Sequence, residues 1–176
     1  MNYLTILIFL SFSFSIIDDP NDPIRSAGDV GQILIPASAL LLTYIKDDYN
    51  GTLQLCKSSM STIICTHIFK LSIEKFRPDG TNNNSFPSGH TSAAFSGATF
   101  IHQRYGFKMA FPAYAIASFV GYSRIYAKKH YLEDVIAGAT LAAINSIIFN
   151  QSRINNVSLM LTNENENNVL KLNINF

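Results

Sequence analysis

The stretch SFPSGH at residues 85–90 combines a proline, small residues and a histidine directly before an apolar, alanine-rich run. Pro87 fixes one backbone angle, and Gly89 permits conformations that other residues enter only at a cost. The amides of Ser88, Gly89 and His90 open the helix predicted from Thr91, and such amides bind anions, while a histidine there can donate a proton. A capped helix start with a solvent-facing histidine is the alternative that this stretch leaves open.

Two cations precede that stretch. Lys70 and Arg77 are seven residues apart, two turns along one face of a predicted helix from Leu53 to Phe76. Pro78 disfavours a helical conformation of the residue before it and is expected to end this helix. The pair could neutralise an anion at the helix end, or it could form an ordinary solvated basic edge.

A third group follows the next predicted helix. Ser123 and Arg124 precede His130, and Asp134 lies four residues after that histidine. If the segment from His130 is helical, the histidine and the acid share one face. The carboxylate would then hold one imidazole nitrogen and leave the other as a nucleophile or base. An ordinary surface pair at this spacing is the alternative.

Together these segments supply three cations, two histidines, one acid and a set of amides, which can hold a tetrahedral oxyanion and transfer it to nitrogen without a metal. Their order resembles the three-part signature of the type 2 phosphatidic acid phosphatase and vanadium haloperoxidase superfamily. The resemblance runs from Lys70 to Asp134, and the flanking helices extend it over about Val30 to Phe149. Only eight residues separate Pro78 from Pro87, where many members carry a longer insertion, so the loop leaves little room for a helix or lid over the site.

The resemblance implies a role for each matching residue. His130 would attack phosphorus, oriented by Asp134, and His90 would protonate the leaving oxygen. The phosphoryl oxygens would be neutralised or hydrogen-bonded by a second group of residues: Lys70, Arg77, Ser88, Gly89, Ser123 and Arg124. The resemblance implies no metal and no other cofactor. His67 and His102 match nothing in the signature, and we expect them to be packed or exposed histidines.

The composition bounds the fold and the partners. The net charge is +1, which gives no general attraction to nucleic acid, and only 14% of the residues are charged. Apolar helices are predicted at Val30–Ile45, Leu53–Phe76, Thr91–Ile101, Met109–Ile125 and Asp134–Phe149. The fold class implied is an all-α compact helical bundle of the phosphatidic acid phosphatase type.

Four segments are predicted. Residues 1–17 form an apolar run that is either a signal peptide or an N-terminal anchor helix, although no Lys or Arg precedes it. Residues 18–29 are a polar connector, and residues 30–150 are the helical domain. Residues 151–176 are asparagine-rich. Alternation at Val157–Thr162 and Val169–Phe176 favours a short β-hairpin, and a disordered tail is the alternative.

The implied function is a metal-independent phosphatase that cleaves a phosphate monoester or diphosphate of a membrane lipid through a phosphohistidine. A vanadate-dependent haloperoxidase and a catalytically inactive membrane scaffold are the alternatives. The expected partners are a lipid phosphate and the membrane, with no nucleic acid and no obligate protein partner. The active site is expected on the exoplasmic side of a membrane, and an exported soluble protein is the alternative.

Overall fold

Five α-helices and a two-stranded antiparallel hairpin make up the part of the chain that the computed structural model describes. That part comprises residues 21–150 and the backbone of residues 156–164 and 167–175. The helices are α1 (Pro23–Ile45), α2 (Tyr49–Ser72), α3 (Gly89–Tyr105), α4 (Phe107–Tyr126) and α5 (Leu132–Phe149), and the strands are β1 (Asn156–Glu164) and β2 (Asn167–Asn175). The strands lie where the hairpin alternative placed them. The predicted signal peptide or anchor, residues 1–17, lies outside the described residues.

Three helix boundaries bear on the positions of the candidate residues. α1 begins at Pro23 because the Asp22 carboxylate caps it, accepting from the amides of Ile24 and Arg25 at 3.0 and 3.1 Å. The second half of the predicted connector is therefore helical. α2 ends at Ser72 rather than at Phe76, and the residues that follow form a loop closed by backbone hydrogen bonds. α5 begins at Leu132, two residues before the predicted start at Asp134, and His130 precedes it, so the segment from His130 is not helical throughout.

α3 is the central helix, and it contacts each of the other four. Small side chains make this possible, because Ala94 and Ala98 of α3 are completely buried. The chain alternates in direction from helix to helix. One end of the bundle therefore collects the N-termini of α1, α3 and α5 with the C-termini of α2 and α4. Every segment that carries a candidate catalytic residue meets at this end.

The helices place small and polar side chains inside and large apolar ones outside. Ser58, Ser59 and Thr62 of α2 are buried, while Ile64 and Ile68 of the same helix are more than half exposed. Within the described residues, Pro23–Ile45 and Leu132–Phe149 are long and apolar enough to cross a membrane. Buried small residues with an apolar exterior are typical of helices packed in lipid. The exterior of this bundle therefore suits contact with a membrane.

Gly97 of α3 lies where α1 approaches most closely. A Cβ atom at this position would lie 2.8 Å from the Pro36 nitrogen and 2.9 Å from the Ile35 carbonyl carbon. Both are backbone atoms, so the steric overlap could be removed only by a shift of a whole helix.

We expect Gly97→Ala to destabilise the protein by about 1–3 kcal/mol, the usual cost of overpacking. Alanine is the better helix former by about 1 kcal/mol, so any net loss measures the helix contact. The check is the thermal unfolding midpoint of the purified protein, which should fall. A midpoint that stays or rises would contradict this close packing of α1 against α3.

Candidate active site

A cavity of about 250 Å³ opens at the end of the bundle where the candidate residues meet. Five of the nine residues singled out in the sequence line it: Lys70, Arg77, Gly89, His90 and His130. The other four, Ser88, Ser123, Arg124 and Asp134, are buried behind this lining. The three segments of the signature thus surround one space.

His130 is held by a backbone carbonyl. It lies in the loop between α4 and α5, is 3% exposed, and its Nδ1 is 2.6 Å from the Ser85 carbonyl oxygen. A carbonyl can only accept, so Nδ1 carries the hydrogen and the lone pair is on Nε2. Burial, together with the nearby charges of Lys70 and Arg77, lowers the pKa of His130 to about 3. The ring is therefore neutral and nucleophilic at physiological pH.

Asp134 does not bond His130 directly, which differs from the predicted pair. Its Oδ2 is 3.9 Å from His130 Nδ1, beyond hydrogen-bonding distance. The reason is that His130 precedes α5, so the two residues do not stand one turn apart on a helix. The carboxylate instead accepts from Ser85 Oγ at 2.5 Å and from Lys75 Nζ at 2.6 Å. It also accepts from the Tyr131 amide at 2.9 Å.

Ser85 therefore links the acid to the histidine. Its hydroxyl donates to Asp134, and its carbonyl accepts from His130. Ser85 opens the SFPSGH stretch, but no role was predicted for it, because any residue type can make the carbonyl contact to His130 and nothing in the sequence pairs its hydroxyl with Asp134. Nor was a role predicted for Lys75, whose ammonium contacts both Asp134 and Glu133.

A second buried carboxylate, Asp29 of α1, organises the other histidine. Asp29 is 1% exposed, and its Oδ1 accepts from Arg124 Nη1 at 2.6 Å. The same oxygen is 3.0 Å from His90 Nε2. Asp29 thus ties α1 to α3 and α4 behind the cavity. The signal available in the sequence was an acid directly before the apolar run that starts at Val30, which we assigned to the connector.

The remaining cations face the cavity from α2 and the loop after it. Lys70 Nζ donates to the Asn84 carbonyl oxygen at 2.9 Å. Arg77 Nε is buried, and it has no hydrogen-bond partner among the described residues. A buried guanidinium donor without a protein partner, at the wall of a cavity, is suited to an anion.

The two serines of the signature, Ser88 and Ser123, form hydrogen bonds to other atoms of the protein. Ser88 Oγ is 2.9 Å from Thr91 Oγ1 in the first turn of α3, and the Ser88 amide donates to the Asp134 carbonyl oxygen. Ser123 Oγ donates to the Val120 carbonyl oxygen of its own helix at 2.7 Å, and the residue is completely buried. The predicted contact of Ser123 with phosphate is not supported by this position.

The two histidines outside the signature differ in place. His67 lines the cavity, one residue after Thr66, whereas His102 pairs with Tyr114 Oη at 3.0 Å near the other end of α3. Within residues 21–150, no three His, Cys, Asp or Glu side chains stand close enough to hold a metal ion.

The structure is an α-helical bundle with a cavity lined by two basic side chains, Lys70 and Arg77, and by three histidines, His67, His90 and His130. The family model of the PAP2 superfamily matches residues 51–158, more than half of the chain. The protein therefore belongs to the PAP2 superfamily.

Two relatives are similar in sequence. The lipid A 1-phosphatase of Porphyromonas gingivalis is 44% identical over 78 residues, which span 43% of this chain and 18% of that protein. The lipid A 4'-phosphatase of Helicobacter pylori is 28% identical over 152 residues, covering 77% of each chain.

Two solved structures share the fold. Aquifex aeolicus LpxE superposes with a TM-score of 0.61 at 23% identity, over 82% of this chain and 93% of that one. A PAP2-type phosphatidylglycerolphosphate phosphatase of Bacillus subtilis gives a TM-score of 0.56 at 20% identity, over 84% and 92%. At these identities the likeness establishes the helical fold alone, and it confirms the predicted fold class.

We expect the His130 ring to stay neutral as the pH falls from about 7 to about 5, because burial and the adjacent cations oppose its protonation. The measurement is histidine-ring NMR of the purified protein, with the His130 signals assigned by their loss in His130→Gln. A His130 titration midpoint above about pH 5 would contradict the buried, cation-flanked position.

The lowered pKa of His130 also affects the pH dependence of the stability of the protein. The unfolded ring takes up a proton near its ordinary pKa of 6.5, whereas the folded ring does so only near 3. The unfolded state thus binds more protons between these values, and the protein loses stability as the pH falls through that window. His130→Gln should make this loss smaller.

Proposed function

We propose that this protein is a phosphatase that hydrolyses the phosphate ester of a membrane lipid through a phosphohistidine at His130. One observation carries the proposal. The Ser85 carbonyl fixes the His130 tautomer, which places the nucleophilic Nε2 of a neutral ring in a cavity lined by Lys70 and Arg77.

The first half of the reaction forms the intermediate. The phosphoryl oxygens lie among Lys70, Arg77 and the amides at the start of α3, which neutralise the charge that grows in the transition state. His130 Nε2 attacks phosphorus, and the bond to the lipid oxygen breaks. His90 gives its proton to that oxygen, so a neutral alcohol leaves. Asp29 supports this step, because a carboxylate beside an imidazole stabilises the protonated ring.

The second half restores the enzyme. A water molecule attacks the phosphohistidine from the side that the alcohol has vacated, and His90, now neutral, accepts a proton from that water. The N–P bond breaks, inorganic phosphate is released, and His130 returns to its neutral form. Asp134 acts through Ser85 in both halves, keeping the His130 ring oriented.

A lipid is the favoured substrate for two reasons. Both relatives that match in sequence are named as lipid A phosphatases, for the 1-phosphate and the 4'-phosphate. The exterior of the helices is apolar, with Leu34, Ile68 and Ile148 each more than half exposed, which suits a protein that meets its substrate at a membrane. A phosphorylated glycolipid of the lipid A type is therefore the first candidate.

We place the active site on the exoplasmic side. The apolar run at residues 1–17 precedes α1, and α1 starts at the catalytic end of the bundle. If the run is a signal peptide, its cleavage leaves the start of α1 on the exoplasmic side. If it is an anchor helix with its N-terminus in the cytoplasm, the start of α1 is exoplasmic as well.

The side of the membrane can be read by cysteine labelling. Thr81 lies exposed in the loop after α2, at the catalytic end. Thr81→Cys, in a background with Cys56 and Cys65 replaced by serine, should react with a membrane-impermeant maleimide in intact cells or spheroplasts. Labelling only after permeabilisation would place the site on the inner face.

The roles of the two histidines can be separated by the leaving group. His130→Ala removes the nucleophile, so hydrolysis of every ester should collapse. His90→Ala removes the proton donor, and its cost in kcat should be about 10²- to 10⁴-fold for a lipid phosphate. The cost should be much smaller for p-nitrophenyl phosphate, whose leaving group departs without protonation.

The matched control is His102→Ala, since this histidine bonds Tyr114 away from the cavity. It should keep the activity of the unmodified protein on both substrates. If His90→Ala harms p-nitrophenyl phosphate as much as the lipid while His130→Ala stays active, the two roles have been assigned in reverse.

A further inference from the structure

The lining of the cavity includes residues that have no assigned role at the phosphate. Besides Lys70 and Gly89 it includes side chains from three helices: Gln32 of α1, Ile63 and Thr66 of α2, and Ala93 of α3. Its volume of about 250 Å³ equals the liquid volume of about eight water molecules. A phosphoryl group with five heavy atoms fills only part of it. The remainder can take the alcohol part of a phosphate ester.

Two polar side chains of this lining each have a buried atom without a hydrogen-bond partner among the described residues. Gln32 and Thr66 are 6% and 4% exposed, and Gln32 Nε2 and Thr66 Oγ1 are buried without a hydrogen bond to any described residue. Buried polar atoms are satisfied in the great majority of cases, because an unmade hydrogen bond is costly. Two such atoms in the wall of one cavity indicate a ligand that completes them.

Other hydroxyl groups close to Thr66 do have hydrogen-bond partners. Thr62, one turn earlier on α2, donates to the Ser58 carbonyl oxygen at 2.8 Å. Ser92 of α3 donates to the Ser88 carbonyl oxygen at 2.9 Å. Both hydroxyls are satisfied by their own helix, as is usual for such residues. Thr66 could bond in the same way and does not.

The position of the pair relative to the catalytic residues fits the leaving group. Thr66 is one turn before Lys70, and a Cβ atom on Gly89 would lie 4.0 Å from Thr66 Cγ2. Gln32 is about one turn after Asp29, the carboxylate that contacts His90. Because His90 is the proposed proton donor to the leaving oxygen, and Gln32 lines the same cavity one turn from the partner of His90, we assign Gln32 to the alcohol.

We propose that Gln32 and Thr66 form a specificity subsite that hydrogen-bonds an oxygen of the alcohol moiety close to the phosphate ester. This inference rests on the proposed phosphatase function. The amide is a donor and the hydroxyl is both donor and acceptor, so the matching group is a hydroxyl or an acyl carbonyl. Such an oxygen occurs next to the phosphate ester in sugar and in glycerol phosphates. A plain alkyl or prenyl alcohol lacks it and leaves both groups unsatisfied, which is a strong basis for discrimination.

The test compares three soluble esters: propyl phosphate, glycerol 3-phosphate and N-acetylglucosamine 1-phosphate. For the unmodified protein, kcat/KM should favour at least one oxygenated ester over propyl phosphate by about 10- to 100-fold. Gln32→Met and Thr66→Val keep the size of each side chain and remove its hydrogen bonds. Each should reduce that preference about tenfold, chiefly by raising KM for the oxygenated ester.

Thr62→Val is the matched control, because it makes the same change one turn away at a hydroxyl satisfied by its own helix. It should leave the preference unchanged. The two oxygenated esters distinguish the class of lipid substrate. A loss of kcat/KM in the variants that is confined to the sugar ester indicates a glycolipid, and a loss confined to the glycerol ester indicates a glycerophospholipid. Equal losses on all three esters in Gln32→Met and Thr66→Val would overturn the subsite.

A second measurement keeps the subsite testable apart from the phosphatase function. Removing a buried group that lacks a partner should maintain or raise the thermal midpoint of the ligand-free protein in both variants. A fall of several degrees would show that the two groups serve the fold, and it would overturn the proposal. Failure of every ester to release phosphate, with raised midpoints in both variants, would count against the phosphatase function and leave the subsite supported.

Discussion

The buried carboxylate of Asp134 is the contact on which the catalytic end depends. It is completely buried, yet it accepts from Ser85, Lys75 and the Tyr131 amide, so the loop after α2 is fixed to the start of α5. A buried charge is tolerated only when such partners replace the lost water, and removing one partner typically costs about 3–5 kcal/mol. Because the Ser85 carbonyl also accepts from His130, the orientation of the His130 ring depends on the same buried carboxylate.

Asp29 is a second buried carboxylate that joins segments of the site. Its carboxylate joins Arg124 of α4 to His90 of α3 and brings α1 into the site. The two histidines are thus supported differently. His130 donates to a backbone carbonyl, whereas His90 pairs with the carboxylate of Asp29.

The bundle can assemble this end because its interior is made of small side chains. Gly97 of α3 lies against the backbone of α1, and Gly138 of α5 lies against the Ser88 carbonyl oxygen. These close approaches bring five helix ends around one cavity. With small side chains inside, the large apolar side chains lie on the exterior of the bundle. The same distribution of residues therefore allows close helix packing at the site and contact with a membrane outside.

Much of the architecture followed from the sequence. The apolar segments predicted the helices, and the resemblance of the three-part signature implied a bundle in which the segments from Lys70 to Asp134 converge. Local signals failed at boundaries, because the Asp22 cap extends α1 and the start of α5 excludes His130. The prediction of a direct contact between His130 and Asp134 depended on that boundary, and the phosphate contact expected of Ser123 is replaced by a bond within α4.

The sequence by itself determined the helical class, the signature residues and their order, since these depend on residue type and on short-range periodicity. Only the tertiary structure decided which partners hold those residues. Ser85 holds His130 through its carbonyl, an atom that every residue has. Asp29 meets Arg124 across 95 positions of the chain, and Gln32 reaches the cavity that Thr66 also lines only because α1 packs against the other helices. Contacts between distant segments and contacts through the backbone are fixed by packing, and no local pattern of residue types encodes them.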